Sequence, residues 1–201
     1  MTDTSTNDRV PHPEIKLEDV RESIDGNNCQ GRGGETASSR GYNAELLAHA
    51  VLGNSGIFLR ASLDPWVDTV TRPVEEFWYK IEVKSCVDRY EKRNGEQGRY
   101  GSFKLWKSHH DQLVQTIEED FNESIYFFVV YTVEDGTEKE VGKLIAPVET
   151  VDDILDNWFV QDHVTMGPSK SRQISWRLLL KRLNVSRDQF ESTDIVDLTE
   201  T

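Results

Sequence analysis

With 201 residues the chain holds one hydrophobic core of ordinary size, and its 36% hydrophobic content leaves part of it outside that core. No run approaches the roughly 20 apolar residues of a membrane span, the polar start has no secretory pattern, and two cysteines, Cys29 and Cys86, exclude a disulfide framework or a cysteine zinc site. A cytoplasmic protein is expected, and a net charge of −13 excludes a uniformly basic binder of polyanions.

Residues 1–38 are acidic and polar, ending in a Gly- and Ser-rich stretch of flexible composition. Ile15, Leu17, Val20 and Ile24 make only a partial stripe, so a short helix over Pro13–Ile24 is the most they predict. A single domain is expected over residues 39–187. Ser39 caps a helix reaching about Leu52, with Tyr42, Leu46, Leu47, Ala50 and Val51 at helical spacing. Gly53 and Gly56 break it. Ile57–Ala61 and Val67–Thr71 read as short strands, the second containing Asp68. After a turn at Arg72, Pro73, Glu75 and Glu76, the stretch from Glu76 or Phe77 to Ser85 is the strongest strand of the chain.

Asp88–Gly98 reads as a charged loop, and Arg99–Trp106 as a strand or extended segment. Ser108 caps a helix to about Phe121, with Leu113, Val114 and Ile117 turned inward. Ser124–Val133 is apolar throughout, as a strand covered on both faces must be. Asp135 and Gly136 mark a hairpin, with Val141–Ala146 returning. A short helix is predicted over Val151–Phe159, a Gly/Pro/Ser loop over residues 163–173 and a basic amphipathic helix over Ile174–Leu183. Residues 188–201 read as a loose acidic tail. The order predicts an α/β (α+β) fold, a mixed central β-sheet flanked by helices.

Chemistry is concentrated at Glu82 and Lys84. On a strand, residues two apart share a face, so a carboxylate and an ammonium stand side by side. Asp68 precedes Glu82 by enough chain for a neighbouring strand and a turn. Two carboxylates with a nearby backbone carbonyl, that of Val83, suffice for a hard divalent cation, and Glu45 on the first helix can complete the cluster. Lys84 can orient a water or stabilise negative charge. The charge distribution agrees with a polyanionic substrate. Eight bases face four acids over Lys80–Lys107, and six bases face none over His163–Arg187. The candidate nucleic-acid contacts are Arg89, Lys92, Arg93, Arg99, Lys104 and Lys107 in the first island, and Lys170, Arg172, Arg177 and Lys181 in the second.

Gly41–Leu47 with Glu45, then Asp68, Glu82–Ser85, and the helix carrying His109–Leu113 together resemble the PD-(D/E)xK nuclease superfamily, over about residues 40–133. The flavour is that of Holliday-junction resolvases and restriction endonucleases. The resemblance implies a restriction-endonuclease-like fold and hydrolysis of phosphodiester bonds in DNA with Mg²⁺ or Mn²⁺. It implies metal binding by Glu45, Asp68 and Glu82, and water activation by Lys84. His110 or Gln112 would lie just outside the metal's own ligands or touch phosphate, and a homodimer is implied as well. The family's proline–aspartate order is reversed at Asp64-Pro65, which keeps Asp64 open beside Asp68. The alternative is a nuclease-fold module that binds nucleic acid or protein without cutting. The acidity and scarce lysine also resemble proteins of halophilic, salt-accumulating archaea, in which long-range attraction to phosphate is screened.

Overall fold

The computed structural model describes residues 41, 44, 45, 47, 48, 50–52, 59–61, 69–71, 78–91, 97–117, 122–134, 137–163 and 167–199. The expected helix at 13–24 and the N-terminal segment lie outside them. The described residues of 41–52 are helical and are termed α1.

A six-stranded sheet forms the centre, in the order β1-β2-β3-β7-β8-β11. Its members are β1 (Leu59–Ala61), β2 (Thr69–Thr71), β3 (Trp78–Val87), β7 (Asn122–Glu134), β8 (Thr137–Pro147) and β11 (Val196–Asp197). β3 runs parallel to β7, and β7 antiparallel to β8, so the sheet is mixed. β7 sits centrally because both its faces are apolar: Phe127, Phe128, Val129 and Val130 are all buried.

Alternation along these strands sorts side chains into two cores. Ile81, Val83, Ile125, Phe127 and Val129 pack with Ala44, Ala48 and Leu52 of α1. The small alanines, four residues apart, let the helix lie close to the sheet. Cys86, Tyr126, Phe128 and Val130 occupy the opposite face and form the larger core with the later helices. Those are α2 (Lys107–Ile117), α3 (Val148–Asp152), α4 (Trp176–Arg182) and α5 (Arg187–Ser192). Among the described residues no helix is long and apolar enough to cross a membrane.

Two smaller sheets depart from expectation. The segment predicted as a charged loop contributes β4 (Arg89–Glu91) and β5 (Gln97–Tyr100), an antiparallel ribbon. Residues 163–173 were expected as a loop, but β10 (Gly167–Ser175) pairs there with β6 (Ser102–Trp106) and β9 (Phe159–His163). Turn-forming residue types conceal it, and its burial follows no simple alternation: Ser171 and Ile174 are buried while Lys170 and Gln173 are exposed. Pro168 stands near the start of the strand, where a missing N–H is tolerated. The helix predicted over 151–159 is α3 instead, entered at Pro147 and held by buried Val148 and Val151.

The C-terminal boundary also moves. Residues 188–198 are not a loose tail. Phe190 is buried and stacks on Trp176 with ring centroids 5.8 Å apart. Val196 pairs with Leu144, and the Leu198 N–H donates to the Ile145 carbonyl at 3.0 Å. One buried phenylalanine is worth about 1.5–3 kcal/mol, enough to hold an otherwise acidic segment. The domain therefore runs past residue 187.

Gly101 links β5 to β6 at a crowded point. A Cβ there would lie 1.6 Å from the Val87 carbonyl oxygen, so only glycine fits. Its N–H donates to the Asp88 carbonyl at 2.9 Å, and its own carbonyl accepts from the Trp176 N–H at 3.1 Å. Ser175 caps α4 by accepting from the Leu178 N–H at 3.3 Å. At the other end Asn184 takes a φ of 57°, and the Val185 N–H reaches the Leu180 carbonyl at 2.9 Å, closing the helix.

Candidate active site

Glu82 and Lys84 lie in the middle of β3, opposite Tyr126 and Phe128 of β7. Both side chains therefore stand on the face of the larger core. Only 3% of the Glu82 side chain is exposed, against 18% for Lys84, whose ammonium donates to Glu82 Oε1. From the opposite wall α2 brings His109, whose Nδ1 is 3.6 Å from the same oxygen. That is ion-pair distance for a protonated ring and long for a hydrogen bond.

Burial pushes the Glu82 carboxyl up, because it disfavours the charged form. The Lys84 charge and the adjacent His109 ring together outweigh burial and hold it below its ordinary 4.5. At neutral pH Glu82 is therefore, beside a partly exposed ammonium, a buried, ionised carboxylate. This donor is of the hard kind that magnesium or manganese takes, usually one or two carboxylates at a time. The residues present fit such an ion in chemistry. Among the described residues alone, no group of three or more His, Cys, Asp or Glu gathers as a metal cage.

The remaining sequence candidates distribute as follows. Glu45 is half-buried on α1, the helix covering the Ile81/Val83 face, opposite to the face of Glu82. Asp68 and Asp64 lie outside the described residues. Gln112 is on the exposed side of α2. His110 is wholly buried and turned away into the core. Its Nδ1 is 2.9 Å from the Tyr126 hydroxyl, its Nε2 is 2.9 Å from Asp152 Oδ1, and its ring packs on Tyr126 and Trp158. The histidine that faces Glu82 is His109, whereas the family resemblance points to its neighbour His110.

The basic residues divide by partner. Lys107 is paired with Asp111 at 2.5 Å, and Arg172 with Asp156 at 3.0 Å, so these two have structural duties. Lys104 lies 4.1 Å from the centre of the Trp106 ring, and Arg99 lies 5.3 Å from that of Tyr90. Lys170 and Lys181 are exposed. Arg89 and Arg177 meet at Tyr100, to whose hydroxyl both donate. Lys92 and Arg93 fall outside the described residues.

No curated protein sequence matches the chain. A Holliday junction resolvase of the archaeal hyperthermophile Archaeoglobus fulgidus is similar in structure over 73% of this chain and 97% of its own, at 14% identity and a TM-score of 0.37. A family model described as the PD-(D/E)XK nuclease superfamily domain matches residues 33–181, which include Glu82, Lys84 and His109. On that match, over well more than half of its length, the chain belongs to the PD-(D/E)XK nuclease superfamily.

Proposed function

We propose that the protein is a divalent-metal-dependent endonuclease that hydrolyses phosphodiester bonds in DNA, with Mg²⁺ or Mn²⁺ as cofactor. The observation that carries this reading is the Glu82–Lys84 pair: a buried carboxylate kept ionised beside an ammonium, on one face of a strand and within reach of His109. Glu82 is a metal ligand in this proposal, and Lys84 a donor to the attacking water or to negative charge that builds on the phosphate. When bound, the cation neutralises the scissile phosphate and makes its water more acidic.

Asp68 is proposed as the second carboxylate. Support comes from register: Thr69, next to Asp68 in sequence, pairs with Ile81, next to Glu82 in sequence. Glu45 is the third proposed ligand. To join the others it must reach round the edge of the sheet from α1, which makes its role the most demanding.

The test is cleavage of a labelled duplex by the full chain with and without Mg²⁺ or Mn²⁺, beside Lys84→Ala. Cation-dependent cutting by the wild type and a loss of 10²-fold or more in the variant are expected, on the order of removing one transition-state donor. Equal activity of the variant would end the role given to Lys84. Binding of DNA by the wild type with no cutting in either cation would favour the non-cleaving module instead.

A further inference from the structure

At the far end of β3 from the Glu82–Lys84 pair, two guanidinium groups converge on one phenol. Arg89, from β4, and Arg177, from α4, both donate to the Tyr100 hydroxyl, and lie 4.0 and 4.6 Å from the centre of its ring. Neither has a carboxylate partner among the described residues. Each guanidinium carries five N–H donors, so most remain available after one is given to Tyr100. Arg177, Lys181 and Arg187 line an open groove of about 500 Å³ beside Tyr100, to whose hydroxyl Arg89 donates from outside that lining. Two carboxylates oppose this excess. Glu191 is occupied by Arg187 at 2.5 Å, and Asp88 acts on Arg187 from the strand end.

Like charges brought to a single neutral oxygen repel, and an anion between them would turn that repulsion into attraction. Planar forks aimed at one point suit a phosphate above other anions. The groove is open, and Tyr100 ties Arg177 in its wall to Arg89 beside it, which suits a polymer lying across the surface more than a small anion enclosed in a pocket. Its position agrees. Arg89 follows Lys84 by five residues of nearly continuous strand, roughly 16 Å at about 3.3 Å per residue. The helix carrying Arg177 packs, through Leu179 and Leu180, on the same face of the sheet as Glu82 and Lys84. A duplex rises about 3.4 Å per nucleotide of one strand, so that span is about five nucleotides.

We infer that Arg89 and Arg177, brought together by Tyr100, clamp a non-scissile backbone phosphate of the nucleic-acid substrate about five nucleotides from the bond that is cut. The inference rests on the nuclease reading. Arg89 and Arg177 are binding residues here, and Tyr100 is a positioning residue.

The test is the affinity of the full chain for a fluorescein-labelled DNA duplex in EDTA, across a series of KCl concentrations, together with cleavage in Mg²⁺. The Arg89→Gln/Arg177→Gln pair is expected to bind about tenfold more weakly at low salt, and to flatten the slope of log K against log[KCl] by about one. Tyr100→Phe is expected to weaken binding a few-fold with the slope kept, since the charges remain but lose their anchor. If the Gln pair melts early by circular dichroism, the Arg89→Lys/Arg177→Lys pair decides. It should keep the slope and still lose affinity, because an ammonium cannot replace the fork. Wild-type affinity in a folded Gln or Lys pair, with wild-type cleavage intact, would overturn the clamp and leave the nuclease reading standing. Weakened binding in the variants with no cleavage by the wild type would support a phosphate clamp at these arginines but overturn its distance from a cut bond, together with the nuclease reading. A wild type that binds no DNA would overturn both.

Discussion

His109 Nδ1 stands 3.6 Å from Glu82 Oε1, so α2 and β3 meet at one carboxylate oxygen. His109 is one of the groups that hold the Glu82 carboxyl below its ordinary 4.5. His109→Ala should therefore raise the Glu82 pKa and shift the acid limb of a cleavage profile to higher pH. Loss of a group that orients a metal ligand typically costs about 10–100-fold in metal affinity or activity. A pH–rate profile of the variant, with Mg²⁺ varied at each pH, checks both.

Metal binding should also register without any substrate. A ligand that binds only the folded state stabilises it by RT ln(1 + [L]/Kd). Mn²⁺ or Mg²⁺ is expected to raise the melting temperature of the wild type, and Glu82→Gln to remove most of that rise. Differential scanning calorimetry at increasing cation concentration makes the comparison. An equal rise in both proteins would show that the cation binds elsewhere.

His110 has a different job from its neighbour. It joins α2 to β7 through Tyr126 and to the end of α3 through Asp152, in a wholly buried position. His110→Ala opens a cavity and leaves the Tyr126 hydroxyl without this partner. A destabilisation of about 2–4 kcal/mol is expected, read as a lower urea midpoint. The folded variant should retain the metal requirement of the wild type.

Asp156 gathers Arg172 at 3.0 Å and Arg182 at 3.3 Å, and the Arg182 guanidinium is the main cause that lowers its carboxyl below the ordinary 3.8. A depressed carboxyl stabilises the fold above its unfolded value and loses that contribution as pH falls through the folded one. Acid unfolding below about pH 3.8 should thus contain a part due to Asp156. Thermal melts of Asp156→Asn should show a shallower dependence on pH in that range, and weaker stability than wild type near neutrality.

Phe190 should be indispensable although it lies in the acidic C-terminal segment. It fills the larger core beside Trp176. Phe190→Ala is expected to cost about 3–5 kcal/mol, and removal of residues 188–201 to leave a chain that does not fold cooperatively. Denaturant melts of both variants measure this.

Glu82 and Lys84 were legible from sequence because strand geometry alone fixes their common face, whatever the rest of the chain does. β7 was legible because an unbroken apolar run has few other fates. The histidines were harder. The family resemblance points to His110 beside the metal or phosphate, whereas that residue is buried in the core with Tyr126 and Asp152 on its two nitrogens. One residue is 100° of helix, so the face left for Glu82 belongs to His109. β10 was hidden by residue types that favour turns, and its strand character comes from pairing with β6 and β9, segments distant in the chain. The last segment misled for a related reason: acidic composition describes its exposed side chains, while Phe190 and Val196 decide where it lies.

The crossing at Gly101 has a bearing on how this protein tolerates change. A side chain introduced there would pry the chain away from Val87 and, with it, loosen the tie to Trp176. Saturation mutagenesis selected on DNA cutting should therefore find position 101 as unforgiving as position 82, for opposite causes. Replacements at 82 would accumulate as soluble but idle protein, whereas replacements at 101 would vanish from the soluble fraction.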